Sequence, residues 1–180
     1  KWSSIPIINA LTDLEHPCQA LADYLTIQEK FGELKGINLC YIGDGNNVAN
    51  SLMLCGSMLG VNVKICSPKG FEADSQILEK AKSLSEFGSK ISICNDPSKA
   101  VKEAQVIYTD VWASMGNEEE HLKRKQIFEK YKVDQKLIDL ASEEVIILHC
   151  LPAHRGEEIT EEALDSKNSY VFDQAENRLH

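Results

Sequence analysis

No apolar run in this 180-residue chain approaches the ~20 residues that a membrane-spanning helix needs, so no membrane partner is expected. A basic excess is also missing. Nineteen Lys and Arg stand against 28 Asp and Glu, a formal net charge of −9, whereas a nucleic-acid surface normally needs the opposite sign. That removes nucleic acid as an expected partner but not a small anion, which responds to local donors more than to the global sum. The six cysteines (Cys18, Cys40, Cys55, Cys66, Cys94 and Cys150) contain no C-x-x-C spacing. Cys40, Cys66 and Cys94 sit inside apolar strand-like runs, where a cysteine acts as a small hydrophobe. Such usage fits a reducing compartment rather than a disulfide framework. The expected location is cytoplasmic, or the mitochondrial matrix for a eukaryotic source. There is no initiator methionine and no signal-type apolar stretch after Lys1, which suggests a piece of a longer chain. No internal repeat and no low-complexity linker interrupts residues 1–180. A content of 43% apolar and 26% charged residues is ordinary for a globular protein, so a single domain is expected.

What is present is alternation. Short runs rich in Val, Ile and Tyr, at 37–43, 61–67, 90–94, 105–110, 145–150 and 170–173, read as β-strands. Between them the spacing becomes helical. In "HPCQALADYLTIQEKFG", Pro17 suits a first helical position and Gly32 a terminus, with Ala20, Leu21, Tyr24, Leu25 and Phe31 as the predicted buried face. In "NVANSLMLCGSMLG", Val48, Leu52, Cys55 and Leu59 share a stripe, and Gly60 follows the last turn. The acidic run "GNEEEHLKRK" reads as a solvated helix start. Strand–helix alternation of this kind implies an α/β fold: a doubly wound, mostly parallel sheet with helices on both faces, a Rossmann-like three-layer sandwich.

Ligands of such sheets sit beyond the carboxyl ends of the strands. Three polar clusters fall there: "GDGNN" after the first strand, "DVWASMG" after the fourth and "HCLPAHRG" after the fifth. "HPCQ" opens the helix before the sheet and "DQAENR" follows the last strand, so five polar segments could meet at one edge. Gly43 and Gly45 match the opening of a dinucleotide fingerprint, but Val48 replaces its third glycine. The second strand ends in Ile65, Cys66 and Ser67, with no acid for a ribose. A nicotinamide cofactor is therefore not expected. The asparagine pair can present a side-chain amide to a ligand, or Asp44, Asn46 and Asn47 can serve only as caps. Asp110, with Ser114 four residues on, suits the zwitterionic head of an amino acid. Alternatively it caps a helix, and Met115 fills the core. His16 and Gln19 lie on a first helical turn beside exposed N–H groups, a seat for an anion or a polarised carbonyl. The plainer reading is a cap and a solvated glutamine. Arg178 is either solvated or a guanidinium for a phosphate or carbamoyl oxygen.

"HCLPAHRG" admits three readings. As a metal site, Cys150 and His154 give only two ligands, with no second cluster at ligand spacing, so no metal is expected. A nucleophilic pair would need its histidine from elsewhere, because His149 and Cys150 face opposite sides of a strand. The remaining reading is the lip of a pocket. There Pro152 stiffens the turn, and the Cys150 thiol, with an ordinary pKa of ~8.5, could exchange a proton with an amine near ~10.4.

Taken in order, "HPCQALADYLTI", "GDGNNVANSL", "DVWASMG", "HCLPAHRG" and "VFDQAENR" resemble the ornithine-binding domain of the ornithine carbamoyltransferases, over essentially the whole chain. The S-M-G after the aspartate and the H-C-L-P are similar to the ornithine rather than the aspartate enzymes. The resemblance implies transfer of a carbamoyl group from carbamoyl phosphate to the δ-amine of L-ornithine, giving L-citrulline and phosphate, with no metal or organic cofactor and in a trimer. It implies that Asn47, Asp110, Ser114 and the Met115 backbone hold ornithine. His16, Gln19, Arg178 and the Cys150–Leu151 turn would hold carbamoyl phosphate. Cys150 would also lie beside the attacking nitrogen and help take its proton. Members of the family carry an earlier domain with an S-T-R-T phosphate-binding motif, which this sequence lacks, and continue past E-N-R into a further helix. Residues 1–180 are then the ornithine-binding domain alone, expected to be inactive by itself. Two alternatives stay open: a carbamoyltransferase for putrescine, aspartate or acetylated ornithine, and a non-catalytic Rossmann-type binding domain.

Overall fold

The computed structural model of the chain describes residues 3–112 and 118–180, and for 118–121 the backbone alone. Five strands form one all-parallel sheet: β1 Asn38–Ile42, β2 Asn62–Cys66, β3 Ile91–Cys94, β4 Val106–Thr109 and β5 Ile146–His149, in the order β3-β2-β1-β4-β5. Side chains alternate across each strand. Leu39, Tyr41, Val63, Ile65, Val106, Tyr108, Ile146 and Leu148 enter one core. Cys40, Ile42, Cys66, Ile107 and Ile147 enter the other. Both faces are covered, so the strands read as near-continuous apolar runs, as parallel sheets do. The expected doubly wound α/β fold is the observed one.

Helices α1 Pro17–Phe31, α2 Asn47–Leu59 and α3 Ser75–Ser83 close the first core, and α8 Val171–Asn177 packs on α1 and β5. The second core is covered by α4 Pro97–Ala100, the end of α5 Glu118–Phe128, a 3₁₀ turn Glu129–Tyr131, α6 Gln135–Ile138 and α7 Glu161–Leu164. The start of α5 coincides with the acidic run in which a helix start is expected. Local chemistry sets the ends of the first two helices. Pro17 opens α1, where its missing N–H costs nothing, and Gly32 closes it with φ 80 and its N–H on the Gln28 carbonyl. Gly60 closes α2 in the left-handed region.

Two expectations need correction. Leu21 is 60% exposed, whereas Gln19 and Asp23 are buried on α1. Asp23 is held by Gln19 of its own helix and by Gln174 of α8, and hydrophobicity along α1 alone carries no trace of the second. The run at 170–173 is not a strand. Chain 168–170 bonds to Ile147 on both sides, making a single bridge beside β5, and then turns into α8. Val171, Gln174 and Asn177 recur at helical spacing on its buried face.

β1 lies between β2 and β4, so the chain leaves the sheet in opposite directions around it. This is the topological switch point, and the crevice beyond it is bounded by the loops after β1 and β4.

Candidate active site

Asp110 follows β4 directly and is 7% exposed. Burying a carboxylate is costly unless donors surround it, and three do. Asn46 Nδ2 donates to Oδ2 at 2.7 Å, the Val111 N–H to Oδ1 at 2.8 Å, and Cys150 Sγ to Oδ1 at 2.9 Å. Asn46 comes from the loop after β1 and Cys150 from the end of β5. Three strand ends therefore converge on one carboxylate at the switch point.

Asn46 and Asn47 divide their work. Asn46 Oδ1 caps α2 by accepting the Val48 and Ala49 N–H groups, and its Nδ2 grips Asp110, so one side chain both starts the helix and holds the acid. Asn47, expected to face ligand, donates instead to the Thr12 carbonyl at 2.8 Å. With Asn50 Nδ2 on the Leu14 carbonyl and Ser51 Oγ accepting the His16 N–H, it fastens segment 12–16 along α2. Of the Asn47 side chain, the carbonyl oxygen makes no hydrogen bond among the described residues. Ser114 and Met115 lie outside the described residues.

The "HCLPAHRG" turn is shaped from within. His149, fully buried, accepts the Leu151 N–H at Nδ1, and its Nε2 faces Glu158 Oε1 at 3.1 Å. Nδ1 therefore carries the lone pair and Nε2 the proton. Glu158 also takes the His154 N–H. Leu151 adopts φ 58, before a cis peptide to Pro152. His149 thus orders the turn and makes no hydrogen bond to the Cys150 thiol. The thiol itself differs from expectation. Burial first, and then the Asp110 carboxylate, push its pKa well above the ordinary range. It is a protonated donor to Asp110, not an acceptor poised near neutrality.

Metal ligation groups differently from the sequence reading. Cys150 meets Asp110 and His149 rather than His154, with one ligand atom of each within 4.8 Å of the others, and His154, Glu157 and Glu158 form a second such trio. In the first trio the His149 Nδ1 lone pair is taken by Leu151 N–H and the sulfur keeps its proton, so neither presents the free donor that zinc needs.

At the start of α1, His16 Nδ1 faces the Ala10 carbonyl at 3.0 Å, which assigns the proton to Nδ1 and leaves Nε2 as an acceptor in the neutral ring. Burial, the largest influence, lowers its pKa; the Ala10 carbonyl raises it, Arg178 lowers it and Asp110 raises it. Gln19 is 4% exposed, not solvated, and its Nε2 donates to Asp23 Oδ1 at 2.8 Å. The side chain of Arg178, exposed at the end of α8, makes no hydrogen bond among the described residues, but its charge is felt at His16 and Asp23. Cys150 thus meets Asp110 directly, and the charges of Asp110 and Arg178 are both felt at His16.

Sequence reasoning left Asn46 ambiguous between cap and ligand contact, and missed Asp23, Gln174 and Glu158. Gln174, fully buried, donates to Asp23 and to the Tyr108 hydroxyl and accepts the His149 N–H at 2.9 Å. For Asp23 and Gln174 the signal was polarity inside an amphipathic helix, which points to burial only when the partners are known.

Residues 35–180 match the family model "Aspartate/ornithine carbamoyltransferase, Asp/Orn binding domain", and residues 1–29 match the "carbamoyl-P binding domain" of the same family. The carbamoyl-P match ends at residue 29, inside α1, and the Asp/Orn match begins at residue 35, although α1 shares the core of the sheet. The chain is 67% identical to the ornithine carbamoyltransferase of a strain of Prochlorococcus marinus over all of its length and 57% of that protein's. The ornithine carbamoyltransferase structure from Pyrococcus furiosus superposes with a TM-score of 0.95 at 52% identity, covering 99% of this chain and 57% of that one. For that from Thermus thermophilus the values are 0.87 and 44%, covering 99% and 56%. The chain thus spans about half the length of the relatives it matches. On the family match across most of its length, with a buried acid meeting a thiol and an amide where that fold binds ligands, the chain belongs to the aspartate/ornithine carbamoyltransferase family.

Proposed function

We propose that this chain supplies the amino-acid half of an ornithine carbamoyltransferase, joining carbamoyl phosphate and L-ornithine to give L-citrulline and phosphate. The observation that carries the reading is the 2.9 Å contact between Cys150 Sγ and Asp110 Oδ1. A carboxylate beside the reacting end favours a cationic diamino acid and repels a dicarboxylic one, which separates ornithine from aspartate.

Asp110 draws the amine and displaces the thiol from its own oxygen. The attacking nitrogen then lies between Asp110 and Cys150. The ammonium first gives one proton to the pair, its freed lone pair then adds to the carbamoyl carbon, the C–O bond to phosphate breaks, and the departing phosphate takes the second N–H proton. Asp110 is the acceptor of that pair, because the buried thiol holds its own proton. The Asn47 carbonyl oxygen, Ser114 and the Met115 backbone take the amino-acid head. His16, Gln19, Arg178 and the Cys150–Leu151 turn take the carbamoyl phosphate, whose phosphate also needs the S-T-R-T motif that this sequence does not contain. The reaction uses no metal or organic cofactor, and it belongs to arginine metabolism in a cytoplasmic trimer.

The test is turnover of ornithine, aspartate and putrescine by the full-length chain and its Asp110→Asn variant. Ornithine is expected to be preferred, with its KM raised on the order of tenfold or more by the substitution, as the loss of a charge-assisted contact predicts. Unchanged saturation by ornithine would remove Asp110 from the site.

A further inference from the structure

Asp23 has no part in the reaction above, yet it lies at the junction of both halves of the site. It is fully buried, one helical turn after Gln19 on α1. Its Oδ1 accepts from Gln19 Nε2 at 2.8 Å and from Gln174 Nε2 at 2.6 Å, while Oδ2 is buried without a partner. Gln174 continues the chain of bonds: its Oε1 accepts the His149 N–H at 2.9 Å, next to Cys150. One oxygen therefore links the "HPCQ" turn to the "HCLP" turn across α1, α8 and β5.

A buried, unpaired carboxylate is too costly to keep for packing alone. What this one does to Gln19 is specific. Oδ1 has only lone pairs to offer, so it accepts the amide nitrogen of Gln19 and turns the amide oxygen away from itself. Gln19 Oε1 makes no hydrogen bond among the described residues and is not among the buried, unpartnered oxygens, so it is open to an incoming donor.

We propose that Asp23 is a positioning residue that fixes the Gln19 amide with its oxygen toward the carbamoyl NH₂, so that the site reads an amino group rather than an oxygen or a methyl at that place. This rests on Gln19 contacting the carbamoyl group, as read above. Selection follows from pairing. A carbamoyl NH₂ donates to the oxygen, whereas a methyl leaves it desolvated and unsatisfied. Without Asp23 the amide is free to flip and present its nitrogen.

The experiment uses the full-length chain with Gln19→Ala, Asp23→Ala, the double variant and Asp23→Asn, and measures KM for carbamoyl phosphate apart from kcat. Asn keeps an oxygen acceptor in the same place, so Asp23→Asn is expected to stay within about twofold of the parent. Asp23→Ala is expected to raise KM on the order of tenfold. In the Gln19→Ala background it should add nothing, because a residue that acts through Gln19 has no work once Gln19 is gone. Additive losses, or Asp23→Asn as damaging as Gln19→Ala, would overturn the positioning role. Should Asp23→Ala fail to fold, the Asp23→Asn comparison still decides. If Gln19→Ala leaves carbamoyl phosphate saturation unchanged, the contact with Gln19 is itself refuted and the positioning role falls with it. An effect of Gln19→Ala without one of Asp23→Ala sinks the positioning role alone.

Discussion

Asp23 is also where a single residue gives a testable signature in stability. Burial, the largest influence, raises its pKa to about 7, against the pull of Gln19, Gln174, Tyr108 and Arg178. Facing it are Tyr108 from β4, Cys55 from α2, Cys150 after β5, Arg178 at the end of α8 and Tyr24 on its own helix. In the unfolded chain the carboxyl ionises near pH ~4. Between about 4 and 7 the unfolded chain has released this proton while the folded chain keeps it, so the contribution of Asp23 to stability falls as pH rises through that window. Above it the cost is fully present. Asp23→Asn cannot titrate, so its stability should rise relative to the parent as pH increases from about 4 to 7 and then level off, by on the order of a few kcal/mol at most, with a matching rise in its relative melting temperature. A melting difference independent of pH would show that the carboxyl does not change protonation on folding. The same residue shows why site details escape a reading of sequence. Asp23 and Gln174 are 151 residues apart, and each looks like an ordinary polar position on its own helix.

At the scale of elements, the loop after β1 does the most to build the site. Gly45 donates its N–H to the Phe71 carbonyl, and a Cβ on it would lie 2.1 Å from the backbone nitrogen of Ala73. Backbone cannot yield as a side-chain tip can, so Gly45→Ala must push the loop away from segment 71–73. Because Asn46 follows directly, the push reaches its hold on Asp110. Expected are a stability loss of about 1–3 kcal/mol by denaturant unfolding and a raised KM for ornithine. Unchanged values for both would mean that the loop has slack. This glycine was visible in the sequence but was weighed only against a dinucleotide fingerprint. Its close approach to segment 71–73 is a tertiary fact. α1 and α2 were legible because Pro17, Gly32 and Gly60 act through local dihedral preferences. α8 was not, since Tyr170, Val171 and Phe172 have strand-like chemistry. The helix arises because the chain makes one bridge to Ile147 and then buries Gln174 and Asn177 against α1. The asparagine pair was ambiguous for a similar reason: either residue can cap a helix, and only the position of Asp110 decides which one does.

At the scale of the molecule, the parallel sheet places three strand ends at one switch point, and the chemistry depends on their meeting. Asp110 and Cys150 come from neighbouring strands β4 and β5, and Asn46 reaches across from β1. Such a site is a property of the assembled layers, which is why the order of motifs along the chain pointed to it while no single motif did. The most direct measurement is a double-mutant cycle on kcat/KM for ornithine in the full-length chain, with Asp110→Asn, Cys150→Ser and both together. Acid and thiol acting on one nitrogen should be strongly non-additive, the double variant being little worse than the more damaged single one. Losses that simply multiply would show two independent residues, and the shared site would be refuted.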